Sequence, residues 1–227
     1  MIFLGKAKHF NDYNELSAAA SEFVAKKVEG AKGQFSIAFP GGSSVKGMLQ
    51  ILGEQKPSWP HVNAVMADER LVSKNDPQSN FSQANKLFFS KAKAIHVHPF
   101  EKGDSLADYN KKFFSVTRGK LDLAILGVGE DGHIASLFPG AEALQDASEG
   151  FIEIKNAPKM PRERISLSPK SIAQSKDVLL LFASESKRSA YNNFCDKSVS
   201  QNDCPAKIVL GAKSVSIMTV FGDLNAQ

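Results

Sequence analysis

Two ionisable side chains lie in a glycine-rich loop directly after an apolar run of the sequence. The run extends from Leu121 to Leu126 and predicts a buried strand, and the loop contains Asp131, Gly132 and His133. An unperturbed imidazole titrates at about 6.5, so His133 could act as a general base near neutral pH. Asp131 could orient that imidazole or shape a binding site. Ligands of open α/β sheets bind beyond strand ends of this kind.

The residues of the same loop match a dinucleotide-binding pattern, but the residues within and after the loop do not suit that function. The segment Gly127-Val-Gly-Glu-Asp-Gly132 reads as G-x-G-x-x-G. Glu130 and Asp131 would place negative charge beside a pyrophosphate, and Pro139-Gly140 would end the following helix within about two turns. The context therefore disfavours dinucleotide binding.

A second glycine-rich segment, Phe39-Pro-Gly-Gly-Ser-Ser-Val-Lys46, lies between a predicted strand and a predicted helix. Gly41 and Gly42 expose backbone N–H groups, Ser43 and Ser44 add hydroxyl donors, and the helix N-terminus adds positive potential. Together these features predict a phosphate cradle. The Gly-Lys-Ser/Thr ending of a Walker A loop is missing. A tight turn with a serine helix cap explains the segment equally well.

Charged residues follow or precede other predicted strands. Asp68, Glu69 and Arg70 come directly after an apolar strand, so we expect them near the ligand face. An arginine can clamp a phosphate or carboxylate with two parallel hydrogen bonds. Arg164 and Lys187 offer further cations, at the start of a predicted strand and at the start of a predicted helix. The alternative for each is a solvated charged loop.

Strands and helices alternate along the whole sequence. The predicted strands cover residues 35–39, 62–66, 95–98, 121–126, 151–154, 164–167, 178–183 and 214–220. The predicted helices cover residues 13–28, 44–52, 79–89 and 185–195, with a further helix capped by Asp104 and ending at residue 114. This alternation predicts an α/β fold with a layered, mainly parallel, Rossmann-like sheet flanked by helices, in a single domain over residues 1–227.

Composition excludes several classes of protein. The 28 basic and 24 acidic residues are scattered and give a net charge of +4, so we expect no nucleic-acid partner. No apolar run approaches the ~20 residues of a membrane span, and the first residues lack the order of a signal peptide. We therefore predict a cytoplasmic protein that does not bind membranes. Cys195 and Cys204 fit no metal motif and are expected to be reduced thiols.

Taken in order, these segments resemble the 6-phosphogluconolactonase family, a relative of the glucosamine-6-phosphate isomerases/deaminases. The matching pieces are Gly41-Gly-Ser43, Asp68-Glu-Arg70 with Asp76-Pro-x-Ser-Asn80, Gly127-x-Gly-x-Asp-Gly-His-x-Ala-Ser-Leu-Phe-Pro-Gly140, and Arg164-Ile-Ser with Lys187. The third piece is the most specific. The resemblance implies hydrolysis of 6-phospho-D-glucono-1,5-lactone to 6-phosphogluconate, the second step of the oxidative pentose phosphate pathway, with no organic cofactor. We also expect no metal.

The resemblance also implies roles for individual residues. His133 acts as general base on water, Asp131 positions the histidine or a sugar hydroxyl, and Arg70 either stabilises developing negative charge or holds the phosphate. The implied substrate-binding residues are Gly41, Gly42, Ser43, Asp68, Arg164 and Lys187. Among these, Gly42, Ser43 and Lys187 would hold the phosphate, with Arg164 as a further cation.

Two positions separate the lactonases from their isomerase relatives. The isomerases carry a glutamate where this chain has Phe138, and usually a tyrosine where it has Arg70. This chain also departs from the lactonase pattern, with Glu130 in place of a common proline and Ser44-Val45 in place of Thr-Pro. Two alternatives stay open, namely an amino-sugar phosphate isomerase/deaminase and a non-catalytic sugar-phosphate binding protein. Both a monomer and a dimer are compatible with the sequence.

Overall fold

A computed structural model describes residues 7–221 of the chain. Its strands are β1 (Lys8–His9), β2 (Phe35–Phe39), β3 (Ser58–Met66), β4 (Asp68–Arg70), β5 (Ala94–Val97), β6 (Leu123–Gly127), β7 (Phe151–Ile154), β8 (Arg164–Leu167), β9 (Asp177–Phe182) and β10 (Ser214–Thr219). Its α-helices are α1 (Tyr13–Glu29), α2 (Ser43–Gln55), α3 (Asn80–Ala84), α4 (Leu106–Thr117), α5 (Pro169–Ala173) and α6 (Arg188–Cys195). Within this range, no helix is long and apolar enough to cross a membrane.

Seven strands form one parallel sheet in the order β1-β10-β9-β6-β2-β3-β5. This arrangement confirms the predicted α/β class with a layered parallel sheet. The chain runs outward from β2 to β3 and β5, and then returns to β6 on the other side of β2. The strand order therefore reverses between β2 and β6, and open α/β sheets bind ligands in the crevice at such a switch point.

Two hydrophobic cores cover the two faces of this sheet. Side chains alternate along a strand, so Ile37 and Phe39 of β2 pack in one core and Ala38 packs in the other. The first core contains the apolar sides of α1 and α2. The second contains α4 and α6, with Phe113 of α4 packed edge-on against Phe151 of β7. Burial on both faces explains why the central strands read as continuous apolar runs.

A second sheet, with antiparallel order β4-β8-β7, covers part of the second core. The sequence predicts β7 and β8 with correct bounds but gives no signal for β4, which is three charged residues long. Ser105, rather than Asp104, caps α4 by accepting a hydrogen bond from the N–H of Asp108 at 3.3 Å. The Asp104 carboxylate instead accepts the N–H of Glu101 at 2.8 Å.

Two predicted helices are composite. The helix predicted over residues 79–89 begins as α3 and continues as a π-helical turn, Asn85–Phe89. The helix predicted over 185–195 begins as the 3-10 turn Glu185–Lys187 and continues as α6. Apolar periodicity indicates a helical segment, but it does not distinguish these turn types, because they place side chains on similar faces.

Candidate active site

The loops after four neighbouring strands converge on one cavity of about 140 Å³. The strands β9, β6, β2 and β3 lie side by side and are parallel, so their carboxyl ends share one edge of the sheet. The predicted site residues that line the cavity are Gly41, Gly42, Ser43, Asp68, Arg70, His133, Arg164 and Lys187. A larger groove of about 640 Å³ is lined by other residues, among them Phe138 and Ile152.

The loop after β2 leaves the N-terminus of α2 accessible beside the cavity. Gly42 is the N-cap residue and has a φ of 87°, a conformation that favours glycine, and it provides no side-chain cap. Tyr13 anchors the first turn, because its hydroxyl donates to the carbonyl of Ser43 at 2.7 Å and accepts the N–H of Gly47 at 2.8 Å. Free first-turn N–H groups at the positive end of a helix suit a phosphate.

The loop after β6 folds back on itself and brings Asp131 against His133. Nδ1 of His133 lies 2.5 Å from Oδ1 of Asp131, and the His133 backbone N–H donates to the same oxygen at 3.2 Å. Gly129 packs directly against the pair. A Cβ at this position would lie 2.0 Å from Nδ1 of His133 and 2.6 Å from Oδ1 of Asp131. The lack of a side chain at Gly129 therefore allows Asp131 and His133 to pack closely against the loop backbone.

The electrostatics of this pair favour a charged carboxylate. Burial raises the pKa of Asp131, but the hydrogen bonds and charge of His133 outweigh burial and lower it to about 2. An ionised Asp131 accepts the hydrogen of Nδ1, which leaves Nε2 as the nitrogen that can take a proton. His133 retains 24% side-chain exposure and lines the cavity, so solvent and ligands can reach it.

An aromatic ring packs against His133. The ring centroids of His133 and Phe138 are 4.6 Å apart, with the planes inclined by 37°. The guanidinium carbon of Arg164 lies 5.6 Å from the centroid of the same Phe138 ring. Phe138 is buried and holds the imidazole in place by packing alone. The side chain that hydrogen-bonds to the imidazole is Asp131.

Two arginines form one wall of the cavity. Arg70 and Arg164 are directly opposite in the β4–β8 pair, and opposed residues of antiparallel strands project to the same face. The pKa of Arg164 is lowered by burial and by the charge of Arg70. Arg164 donates from Nε and Nη2 to the carbonyls of Pro161 and Lys159 at 2.8 and 2.7 Å.

Arg70 keeps more of its donors available than Arg164. Its Nη1 donates to the carbonyl of Gln78 at 2.6 Å, while its buried Nε has no partner within residues 7–221. Like charges placed opposite each other repel, so an anion between the two guanidinium groups would stabilise the pair.

Lys187 adds a further cation from the loop after β9. Its side chain is 14% exposed, and Nζ lies 4.0 Å from Oε1 of Glu130. Glu130 belongs to the same loop as His133 and is 63% exposed. The residue that departs from the lactonase pattern therefore lies beside a predicted phosphate ligand.

Asp68 is held in the cavity wall by a buried network. Nδ2 of Asn80 donates to Oδ1 of Asp68 at 3.0 Å and to its backbone carbonyl at 2.9 Å. The hydroxyl of Ser136 donates to Oδ2 of Asp68 at 2.6 Å. Asn80 itself lines the cavity, although its sequence context indicates a helix start and a family motif rather than a site residue.

Glu69 does not join its two neighbours at the cavity, contrary to expectation. Side chains alternate along β4, so Glu69 projects to the opposite face. Its Oε1 accepts the N–H groups of Arg70 and Asn80 at 2.7 and 2.8 Å. Its Oε2 accepts the N–H of Phe81 at 2.7 Å and the hydroxyl of Ser79 at 3.0 Å. Burial raises the pKa of Glu69, and the carboxylate ties the chain after β4 to the start of α3.

Comparison with known proteins relates this chain to one family. Residues 11–218 match the family described as glucosamine-6-phosphate isomerases/6-phosphogluconolactonase. A 6-phosphogluconolactonase of Borreliella burgdorferi is 37% identical over 195 residues, which cover 81% of this chain and 83% of that protein. The 6-phosphogluconolactonase structure of Thermotoga maritima aligns with a TM-score of 0.79 and 26% identity, over 94% of this chain and 98% of that chain.

A structural comparison at lower identity extends over nearly the whole chain. The 6-phosphogluconolactonase of Leishmania guyanensis aligns with a TM-score of 0.85 at 22% identity, covering 99% of this chain and 100% of that chain. This likeness shows that the two proteins share a fold.

Proposed function

Because the chain belongs to the glucosamine-6-phosphate isomerase/6-phosphogluconolactonase family, we propose that it is a 6-phosphogluconolactonase. It hydrolyses 6-phospho-D-glucono-1,5-lactone to 6-phosphogluconate in the oxidative pentose phosphate pathway. The observation that carries this proposal is the hydrogen bond of 2.5 Å between His133 and Asp131 beside a cavity lined by three cations. A base beside a cationic wall suits hydrolysis of an ester that bears a phosphate.

The phosphate of the substrate binds at the N-terminus of α2. Backbone N–H groups of Gly42 and Ser43 donate to it, and Lys187 supplies a positive charge from the adjacent loop. Arg164 adds positive potential, although two of its nitrogens already donate to backbone carbonyls. Binding of the phosphate, which is remote from the reacting carbonyl, holds C1 in register with His133.

His133 serves as the base on water. Nε2 takes a proton from a water molecule while the water oxygen attacks C1 of the lactone. The Asp131 carboxylate keeps the hydrogen of Nδ1 and stabilises the positive imidazolium. The bond between C1 and the ring oxygen then breaks, and the imidazolium returns its proton to the leaving oxygen. Arg70 lines the cavity, and its positive charge stabilises the negative charge that develops on the carbonyl oxygen.

Phe138 favours lactone hydrolysis over amino-sugar isomerisation. The resemblance implies that isomerases use a glutamate at this position to support their histidine during ring opening. The phenyl ring packs on His133 and can neither accept a hydrogen bond from the imidazole nor carry a proton. The lack of a carboxylate at this position beside His133 therefore supports the lactonase branch of the family.

The test is acceleration of lactone hydrolysis over its spontaneous rate. Glucose-6-phosphate dehydrogenase generates the lactone and releases a proton of its own, so the chain is added once NADPH formation is complete. Release of the acid product is then followed with a pH indicator. We expect the purified chain to accelerate this hydrolysis and to release no ammonia from glucosamine 6-phosphate. Folded protein that leaves the spontaneous rate unchanged refutes the proposed function, and ammonia release assigns the chain to the isomerase/deaminase branch.

A further inference from the structure

The cavity and the larger groove lie on the same face of the small antiparallel sheet. Arg70 is directly opposite Arg164, and Arg164 is directly opposite Ile154. Opposed residues of antiparallel strands project to one face, so these three side chains form a row across the sheet. Arg70 and Arg164 line the cavity of about 140 Å³, whereas Ile154 lines the groove of about 640 Å³. The two spaces are therefore one strand apart.

The ring of Phe138 lies where the cavity and the groove approach each other. Phe138 is among the residues that line the groove. Its ring centroid is 4.6 Å from the ring centroid of His133 and 5.6 Å from the guanidinium carbon of Arg164. Both of these partners line the cavity. Because Phe138 is only 6% exposed, almost the whole ring is enclosed by its neighbours.

We propose that Phe138 determines the size of substrate that the site accepts, by closing the cavity toward the groove. This inference rests on the proposed lactonase function. The groove is much larger than the cavity, so there is room for an additional ring behind Phe138. Protein interiors are closely packed, and a buried phenyl ring cannot be displaced by a substrate without cost. The wild type is therefore restricted to a lactone that fits the cavity alone.

The proposed reaction indicates which substituent would meet this ring. C1 of the lactone reacts beside His133, against which Phe138 packs. Within the lactone ring, C1 is bonded to C2 and to the ring oxygen, and of these two atoms only C2 carries a hydroxyl. C4 lies across the ring from C1. A substituent on the C2 oxygen is therefore closer to Phe138 than a substituent on the C4 oxygen.

The experiment compares 6-phospho-D-glucono-1,5-lactone with its 2-O-benzyl and 4-O-benzyl derivatives, all supplied as preformed lactones. The readout is proton release above the spontaneous rate of each lactone. In the wild type, we expect kcat/KM for the 2-O-benzyl lactone to be at least about 100-fold below that for the parent, because the benzyl ring has no room. In Phe138→Ala, the ratio of the two values should rise at least about 10-fold, because the benzyl ring extends into the groove.

The ratio separates substrate size from support of the histidine. Phe138→Ala also removes packing from the imidazole, and the resulting fall in kcat affects both lactones and cancels in the ratio. Gln145→Ala shortens an exposed side chain that lines the groove outside the cavity, and it should keep the wild-type ratio. If urea unfolding shows that Phe138→Ala does not fold, Phe138→Leu replaces it, and its ratio should also rise, because leucine is smaller than phenylalanine.

Each outcome decides the inference. A ratio that rises in the Phe138 variant for the 2-O-benzyl lactone and stays low for the 4-O-benzyl lactone supports it. An unchanged ratio, or a wild type that accepts the 2-O-benzyl lactone as well as the parent, overturns it and leaves the lactonase function intact. An equal rise for both derivatives indicates a loosened cavity and also overturns it. A wild type that does not accelerate hydrolysis of the parent lactone refutes the proposed function, on which this inference rests.

Discussion

Replacing Glu69 with glutamine should destabilise the fold by about 1–3 kcal/mol. Each carboxylate oxygen of Glu69 accepts at least one buried backbone N–H, and a glutamine replaces one of these oxygens with an NH2 group. In the better orientation, the amide oxygen keeps the N–H groups of Arg70 and Asn80, while the N–H of Phe81 loses its acceptor. One unsatisfied buried donor costs the stated amount. Removal of a buried charge offsets part of this cost, since burial raises the pKa of Glu69.

Urea unfolding at neutral pH measures this change. The matched control is Glu101→Gln, because Glu101 pairs with Lys74 at 2.8 Å on the exposed surface. Surface pairs of this kind contribute about 0–1 kcal/mol. If both variants unfold at the same urea concentration as the wild type, the hydrogen bonds of Glu69 do not stabilise the fold as argued.

The pH dependence has a defined sign. A carboxyl whose pKa is raised in the folded state stabilises the fold below its unfolded pKa, and this contribution is lost as pH rises through the folded pKa. The wild type should therefore gain stability relative to Glu69→Gln as the pH falls from neutrality toward the ordinary glutamate pKa. A stability gap that narrows over this range contradicts the raised pKa.

Three further predictions concern the cavity. Asp131→Asn should lower kcat at least about 10-fold with little change in KM, because the amide cannot stabilise the imidazolium by charge; an unchanged kcat removes Asp131 from this role. Lys187→Ala should raise KM at least about 10-fold with a smaller effect on kcat, since its charge binds the phosphate; an unchanged KM rules this out. Glu130→Gln should lower KM about two- to five-fold at low salt, because Glu130 lies 4.0 Å from Lys187, and the gain should disappear at high ionic strength. Steady-state lactonase kinetics measure all three, and a KM that rises in Glu130→Gln excludes competition for Lys187.

The sequence predicts the main sheet well because hydrophobic patterns report burial. The strands β2, β6 and β9 are mostly apolar and are buried on both faces in the structure. The strand β4 gives no such signal, since its fold depends on pairing with β8, almost one hundred residues later. Strand pairing at that separation is a tertiary property that local pattern does not contain.

The sequence also predicts part of the candidate site, because the site residues follow apolar strands. Gly41, His133 and Lys187 follow apolar strands, so the rule that parallel strands end together places them at one edge of the sheet. The same rule puts Glu69 at the cavity, which is wrong because alternation within β4 turns it away. Asn80 cannot be recognised from local pattern, since its place in the cavity wall depends on its contacts with Asp68.

Lactone hydrolysis by His133→Ala tests the central claim most directly. The matched control is His96→Ala, which removes an exposed histidine on β5 outside the cavity. We predict that kcat falls about 10²–10⁴-fold in His133→Ala, while His96→Ala retains wild-type kinetics and both variants unfold at the wild-type urea concentration. A folded His133→Ala variant with wild-type kcat contradicts the assignment of His133 as the base.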